Sequence, residues 1–177
     1  INATSAFAGS SKDFEYQKLE LGLSYKLDLS NMGNININGK AGKFFNADRI
    51  SFVDYNHFNG NQTHVGVGEN YLNVFNMMPY YSMSTNKSFG EIHAEYNDNG
   101  FFINKIPVLN LLRGKLVLGV HNLSTTNRLP YQEFTAGLDG IGFGKLKIFR
   151  IDYVRSYQNG FVGDGVIFGA KFLNVLN

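Results

Sequence analysis

At 177 residues the chain suits one domain, and a net charge of +2 with no run of Lys or Arg excludes the electrostatic footprint of a nucleic-acid binder. Charged residues make up 17% of the chain, below the usual figure of about 25%, while aromatics reach 15% with no Trp. With no Cys, disulfides, thiolate zinc sites and cysteine nucleophiles are excluded.

No apolar run approaches the roughly 18–20 residues a membrane helix needs, since the best segment, 101–112, is interrupted by Asn104, Lys105 and Asn110. If this chain spans a membrane, it does so as a barrel. No basic-then-apolar leader precedes Ile1, so either a signal peptide is already removed or the chain is a fragment; the expectation is the C-terminal portion of a longer protein. Residues 1–13 read as a flexible lead-in and 14–177 as the folded domain.

Leu19, Leu21, Leu23, Tyr25, Leu27 and Leu29 alternate with Lys18, Glu20, Gly22, Ser24, Lys26 and Asp28. This period of two predicts a strand longer than the usual 5–6 residues and close to the roughly 9–11 of a tilted bilayer-crossing strand. The turn Asn31-Met32-Gly33-Asn34 leads into a second strand, 35–45. Residues 46–70 read as a long polar loop, with a short strand expected near 50–55. A third strand over 71–84 turns at Thr85-Asn86 into a fourth, where Ile92, Ala94 and Tyr96 alternate with Glu91, His93 and Glu95. Between the fourth and fifth strands, Ile106, Leu109 and Leu112 have helical spacing and Pro107 suits a first turn, predicting one short amphipathic helix near 104–112. Four further strands carry Leu116, Leu118 and Val120; Phe134, Ala136 and Leu138; Phe149, Ile151 and Tyr153; and Val166, Phe168, Ala170 and Phe172. The expected fold is therefore all-β, an antiparallel transmembrane β-barrel of about eight strands, complete or part of a larger one.

Alternation alone fits a soluble sandwich as well, so the polar face decides. It is rich in Gly, Ser, Asn and Thr and carries few charges of mixed sign, which suits a barrel lumen better than a wet outer surface. Closing a turn at 141–145 puts Gly137 opposite Arg150 and Thr135 opposite Asp152, so that Glu133, Arg150, Asp152 and Lys171 form a lumenal charge network with a structural role. The same reasoning puts Glu91 opposite His121 with His93 nearby, a polar lumen cluster. A His/His/Glu set can bind zinc, but no HExxH-like spacing fixes the geometry, and neither metal nor cofactor is expected. There is no GxSxG elbow; an outer-membrane hydrolase would have to use Ser82, Ser84 or Ser88 with His93, and no catalytic residue is assigned.

Three segments carry a family resemblance: 52–63 (Phe-Val-Asp-Tyr-Asn-His-Phe-Asn-Gly-Asn-Gln-Thr), 79–85 (Pro-Tyr-Tyr-Ser-Met-Ser-Thr) and 100–109 (Gly-Phe-Phe-Ile-Asn-Lys-Ile-Pro-Val-Leu). They resemble the C-terminal barrel of an uncharacterised outer-membrane family whose N-terminal part is a carboxypeptidase-regulatory-like domain. More distantly, 130–138 followed by 149–153 resembles surface-antigen barrels such as outer-membrane insertases. The resemblance implies a Gram-negative outer-membrane location and a preceding domain, with no agreed activity. In such barrels the C-terminus is periplasmic; counting back puts 124–129 and Asn159 outside and both 46–70 and 97–112 in the periplasm. Ile106, Val108, Leu109 and Leu112 then form a candidate contact with the preceding domain or another outer-membrane or periplasmic protein. The expected role is a structural anchor or assembly subunit surrounded by outer-membrane lipid, ahead of a transport or insertase-like barrel and of a lipid hydrolase.

Overall fold

A computed structural model describes residues 7–11, 14–61, 65–67, 71–107, 114–143 and 146–170. Nine strands form a single sheet in the order β1-β2-β3-β5-β6-β7-β8-β9-β4. Seven are long and successively antiparallel: β2 (Phe14–Asp28), β3 (Asn34–Phe45), β5 (Phe89–Asn97), β6 (Lys115–Thr125), β7 (Arg128–Phe143), β8 (Leu146–Tyr157) and β9 (Phe161–Ala170). Two short strands occupy the edges. β1 (Phe7–Ser11), inside the expected lead-in, pairs antiparallel with β2, and β4 (Val65–Val67) pairs parallel with β9. Among the described residues no ladder joins β1 to β4, so the sheet is open.

Seven of the eight expected strands are present; 71–84 is not one of them. Tyr71–Asn73 forms a 3-10 turn, and the chain then runs irregularly through Tyr81, whose φ is +62°. Pro79 lacks the donor a ladder needs, and the buried apolar positions Phe75, Met78 and Met83 do not follow a period of two. The strand expected near 50–55 is a 3-10 turn at Phe52–Asp54. The expected helix near 104–112 is, in its described part, only a 3-10 turn at Ile103–Lys105. Three residues satisfy one hydrogen-bonded turn, and Pro107 follows at once.

Removing that false strand reverses the topology of the long loop. The segment 46–88 leaves the sheet at the end that also carries the 126–127 and 158–160 connections, whereas 98–114 lies at the opposite end with the 29–33 turn. The two long connections therefore do not share a face, contrary to the expectation.

Side chains separate by strand face in an unusual sense. On β7, Tyr131, Glu133, Thr135, Gly137 and Asp139 are buried while Gln132, Phe134 and Ala136 are exposed. Glu133 has no exposed surface, whereas Phe134 keeps 47% of its own. Leu19, Leu21, Leu23 and Tyr25 of β2, Leu118 and Val120 of β6, and Phe149, Ile151 and Tyr153 of β8 are likewise exposed.

The buried polar face is concave. Arg150 on β8 reaches Glu95 on β5, three strands away, at 2.9 Å. Across a flat sheet those strands would be about 14 Å apart, with side chains standing parallel, so the contact requires strong curvature. Described residues of segment 46–88 outside β4 lie against this concave face. The segment's Ala47, Ile50, Phe58, Phe75, Met78 and Met83 form an apolar cluster with Phe44, Phe89, Leu123 and Tyr131 of the sheet. The apolar core is thus the contact between an irregular segment and one end of the sheet.

Candidate functional site

The chemistry-bearing residues converge on the concave face because alternate residues of β5, β6, β7 and β8 all point there. Three groups result. In the first, Arg150 Nε donates to Asp152 Oδ2 at 2.6 Å, and Nη2 donates to Asp152 Oδ1 at 3.0 Å and to Glu95 Oε2 at 2.9 Å. This fork geometry neutralises two buried carboxylates with one guanidinium. Gly137, paired with Asp152, leaves the room: a Cβ there would collide with the Asp152 carboxylate and the Ile151 carbonyl.

In the second group, His93 and His121 are directly paired across β5 and β6, with their Nδ1 atoms 2.9 Å apart. One ring must donate and the other accept, so the two imidazoles hold complementary tautomers. Phe75, from segment 46–88, lies against both rings at 4.7 and 6.3 Å between centroids. Glu91 stands 3.9 Å from His93 Nε2 and 3.3 Å from Lys40, which also faces Glu20 at 3.8 Å. Thr135 Oγ1 is buried with no partner among the described residues.

The third group centres on Glu133. Its carboxylate accepts from Asn76 N at 2.6 Å, Met77 N at 2.7 Å and Tyr131 Oη at 2.7 Å. The acid is therefore bonded chiefly to segment 46–88 and not to the Arg150–Asp152 fork with which the sequence reading grouped it. Nothing local in the sequence marks Asn76 and Met77 as its partners; the clue was an acid in mid-strand beside Phe134, on the face opposite it.

Both register expectations are displaced by two residues. Asp139, not Gly137, is opposite Arg150, and His93, not Glu91, is opposite His121. In the first case β7 runs on to Phe143 and β8 starts at Leu146, so the connection is tighter than the turn expected at 141–145. A shift of two preserves the face, so Glu91, His93, His121, Glu133, Arg150 and Asp152 still share it. Lys171, Val108, Leu109 and Leu112 lie outside the described residues; Ile106 is exposed, next to the buried Ile103.

Of the serines considered with His93, none bonds it among the described residues. Ser84 Oγ instead meets His57 Nδ1 at 2.8 Å, and Ser82 donates to Pro79 O at 2.9 Å. No carboxylate among the described residues bonds His57. Among the described residues no set of three or more His, Asp or Glu is arranged to hold a metal ion. At the rim, Lys87 bonds Asp48 and holds its carboxyl below the usual range.

The site is thus a polar, charge-paired wall fastened to an inlaid segment. Comparison with known proteins finds a model for the C-terminal domain of a family of unknown function (DUF5686) matching residues 1–138. Neither a curated protein nor a solved structure matches.

Proposed function

The chain belongs to the DUF5686 C-terminal domain family, and from that premise and its inverted burial we propose that it is an outer-membrane β-barrel domain serving as a structural anchor or assembly subunit. One observation carries the reading: leucines, phenylalanines and tyrosines cover the convex face while Glu133, Asp152, Arg150, His93 and His121 are buried on the concave one. A water-soluble sheet gains stability by the opposite arrangement, because exposed apolar surface costs about 25 cal/mol per Å². Lipid removes that cost, and the long strands fit its thickness. In this reading the seven long strands form the wall.

The described inlaid residues of 46–61 and 71–88 support an anchor over an open pore, since they lie against the concave face that would line a channel. With the C-terminal end of β9 toward the periplasm, 46–88 enters from outside and the 98–114 connection, with Ile106, faces inward to a preceding domain or partner. That places the longest connection on the side where such barrels carry their long loops.

The absence of native Trp provides a direct test. Single variants Leu21→Trp, Phe134→Trp and Asn36→Trp are reconstituted into vesicles containing lipids brominated in their acyl chains. Quenching at positions 21 and 134 but not at 36 is expected. A protein that stays monodisperse in detergent-free buffer, with no quenching at either convex position, overturns the reading.

A further inference from the structure

We propose that the convex wall carries a seat for one anionic phospholipid, with an acyl chain in the groove over Gly39, Ala41 and Gly90 and the headgroup phosphate bound by Lys43. The seat rests on the barrel reading above and deepens it by naming the lipid that the wall would select. Two rungs of the ladder set the groove. Ala41 of β3 is paired with Leu21 of β2 and Gly90 of β5, and Gly39 is paired with Leu23 and Ile92; Ser124 and Asn122 of β6 continue these rungs. Alternate residues of a strand share a face, so all of these positions look outward. The next rung carries Tyr25 and Ile37, whereas at Gly39, Ala41 and Gly90 the wall is cut back to a hydrogen or a methyl group. The result is a groove of about 580 Å³ walled by Leu21, Leu23 and Ile92, within the roughly 300–1,000 Å³ of ligand sites. A Cβ added at Gly90 would meet no atom within 4 Å, so the groove is open directly above that residue.

A cation stands at one end of this groove. Lys43 follows Ala41 by two residues on the same face, about 7 Å along the strand, toward the end of the sheet that carries 46–88. From Leu19 to Leu27, Ile35 to Phe45, Gly90 to Tyr96 and Leu118 to Ser124, the outward alternate residues are uncharged except Lys43. Elsewhere cations are matched: on the concave face Lys18 meets Glu20 at 2.6 Å and Lys40 meets Glu91 at 3.3 Å, and Arg155, outward on β8, is opposite Asp164. No carboxylate among the described residues pairs with Lys43. Its ammonium lies 5.2 Å from the ring of Phe45, which is exposed at the strand end. In a bilayer a lysine stem runs along apolar surface and carries its charge to the headgroups, where aromatic rings also gather. An anionic headgroup supplies the missing counter-charge there. An apolar trough that leads to an unmatched cation has the order of a lipid, chain first and phosphate last. The trough alone would take any acyl chain; the lysine makes the choice one of headgroup.

Lys43→Gln and Gly90→Leu test the two halves of the seat. Leu19→Trp supplies the reporter, since Leu19 is paired with Lys43 and the chain has no native Trp, and Ile151→Trp on the exposed face of β8 is the distant control. The detergent-solubilised protein is titrated with phosphatidylglycerol whose acyl chains are brominated. Position 19 should be quenched saturably at one lipid per chain, and position 151 without saturation. Lys43→Gln should weaken binding about fivefold, the contribution of one lysine near an anionic surface, and so should replacing the lipid by phosphatidylcholine with the same chains. Lys43→Arg should keep the binding. Gly90→Leu, whose side chain fills the open groove, should weaken it at least as much as Lys43→Gln. Equal, non-saturating quenching at both positions overturns the seat, and so does binding indifferent to Lys43→Gln or to Gly90→Leu. In vesicles made wholly of brominated phosphatidylcholine, quenching at 151 but not at 19 would show protein, such as a second copy of the chain, covering the groove, and also overturns the seat. Absence of quenching at both positions in those vesicles overturns the barrel reading itself, and the seat with it.

Discussion

Replacing Asp98 by Ala should be among the most damaging single changes outside the strands. Asp98 is fully buried at the end of β5, and its carboxylate accepts four backbone N–H groups: Gly100 at 2.7 Å, Phe102 at 2.9 Å, Ile103 at 3.2 Å and Leu116 at 2.7 Å. It thereby folds the 98–105 turn and ties it to the first residues of β6. Gly100 and Ile103 are buried, so their amides cannot turn to water when the acceptor is removed. At about 1–3 kcal/mol for each stranded donor, these two alone give about 4 kcal/mol. The assay is urea unfolding of the reconstituted protein. With a slope of about 2 kcal/mol per molar urea, the midpoint should fall by about 2 M. Asp98→Asn keeps one accepting oxygen and should lose about half as much. Amide hydrogen exchange should accelerate first at Gly100, Ile103 and Leu116. A midpoint for Asp98→Ala within about 0.3 M of that for Ser124→Ala, an exposed control, would refute the reasoning.

Leu21→Arg, on the exposed face of β2, should cost about 2–4 kcal/mol when folding is measured in lipid vesicles, because a cation near the bilayer midplane loses its hydration; an unchanged folding free energy there would place this face in water. Arg150→Ala strands the buried Asp152 and half-buried Glu95 carboxylates and should destabilise by about 3–5 kcal/mol in the same urea assay. Combining it with Asp152→Asn and Glu95→Gln should recover part of that loss, and no recovery would mean that the charges were not the cause. Gly33 sits at φ +104°, where an added Cβ would run into the Asn97 carbonyl, so Gly33→Ala should lower the thermal midpoint by strain of about 1–3 kcal/mol, read by circular dichroism.

The long strands were legible because their alternation is sustained: Leu19 to Leu27 and Phe149 to Tyr153 each present one chemistry to one face, and tertiary context only reinforced it. Face assignment was legible for the same reason, which is why Glu91, His93 and His121 share one face even though the register expected for them was two residues out. Register itself depends on how tightly a connection closes, and no residue between Gly140 and Lys145 announces that β7 continues to Phe143. Segment 71–84 was misread because Tyr, Val and Phe are good strand formers in isolation. What they do here is fill a concavity, and an aperiodic fit to a curved wall leaves no periodic trace. Glu133 shows the same limit. Its partners lie 56 and 57 positions earlier, in a segment whose path only the whole fold defines.

The parallel pairing of β4 with β9 imposes an order of events. Val65 meets Phe168 about a hundred positions later in the chain, so the edge of β9 cannot be covered until almost all of the described chain has been made and the sheet has assembled. Until then β9, or whichever strand is last in place, presents a row of unpaired amides and carbonyls beside an apolar face, the surface most open to joining another chain. Among the described residues, β4 covers Phe168–Ala170 of that edge, and can do so only after β9 has been made. A variant that weakens this pairing would leave the finished sheet nearly unaltered while widening the interval in which its growing edge must be guarded.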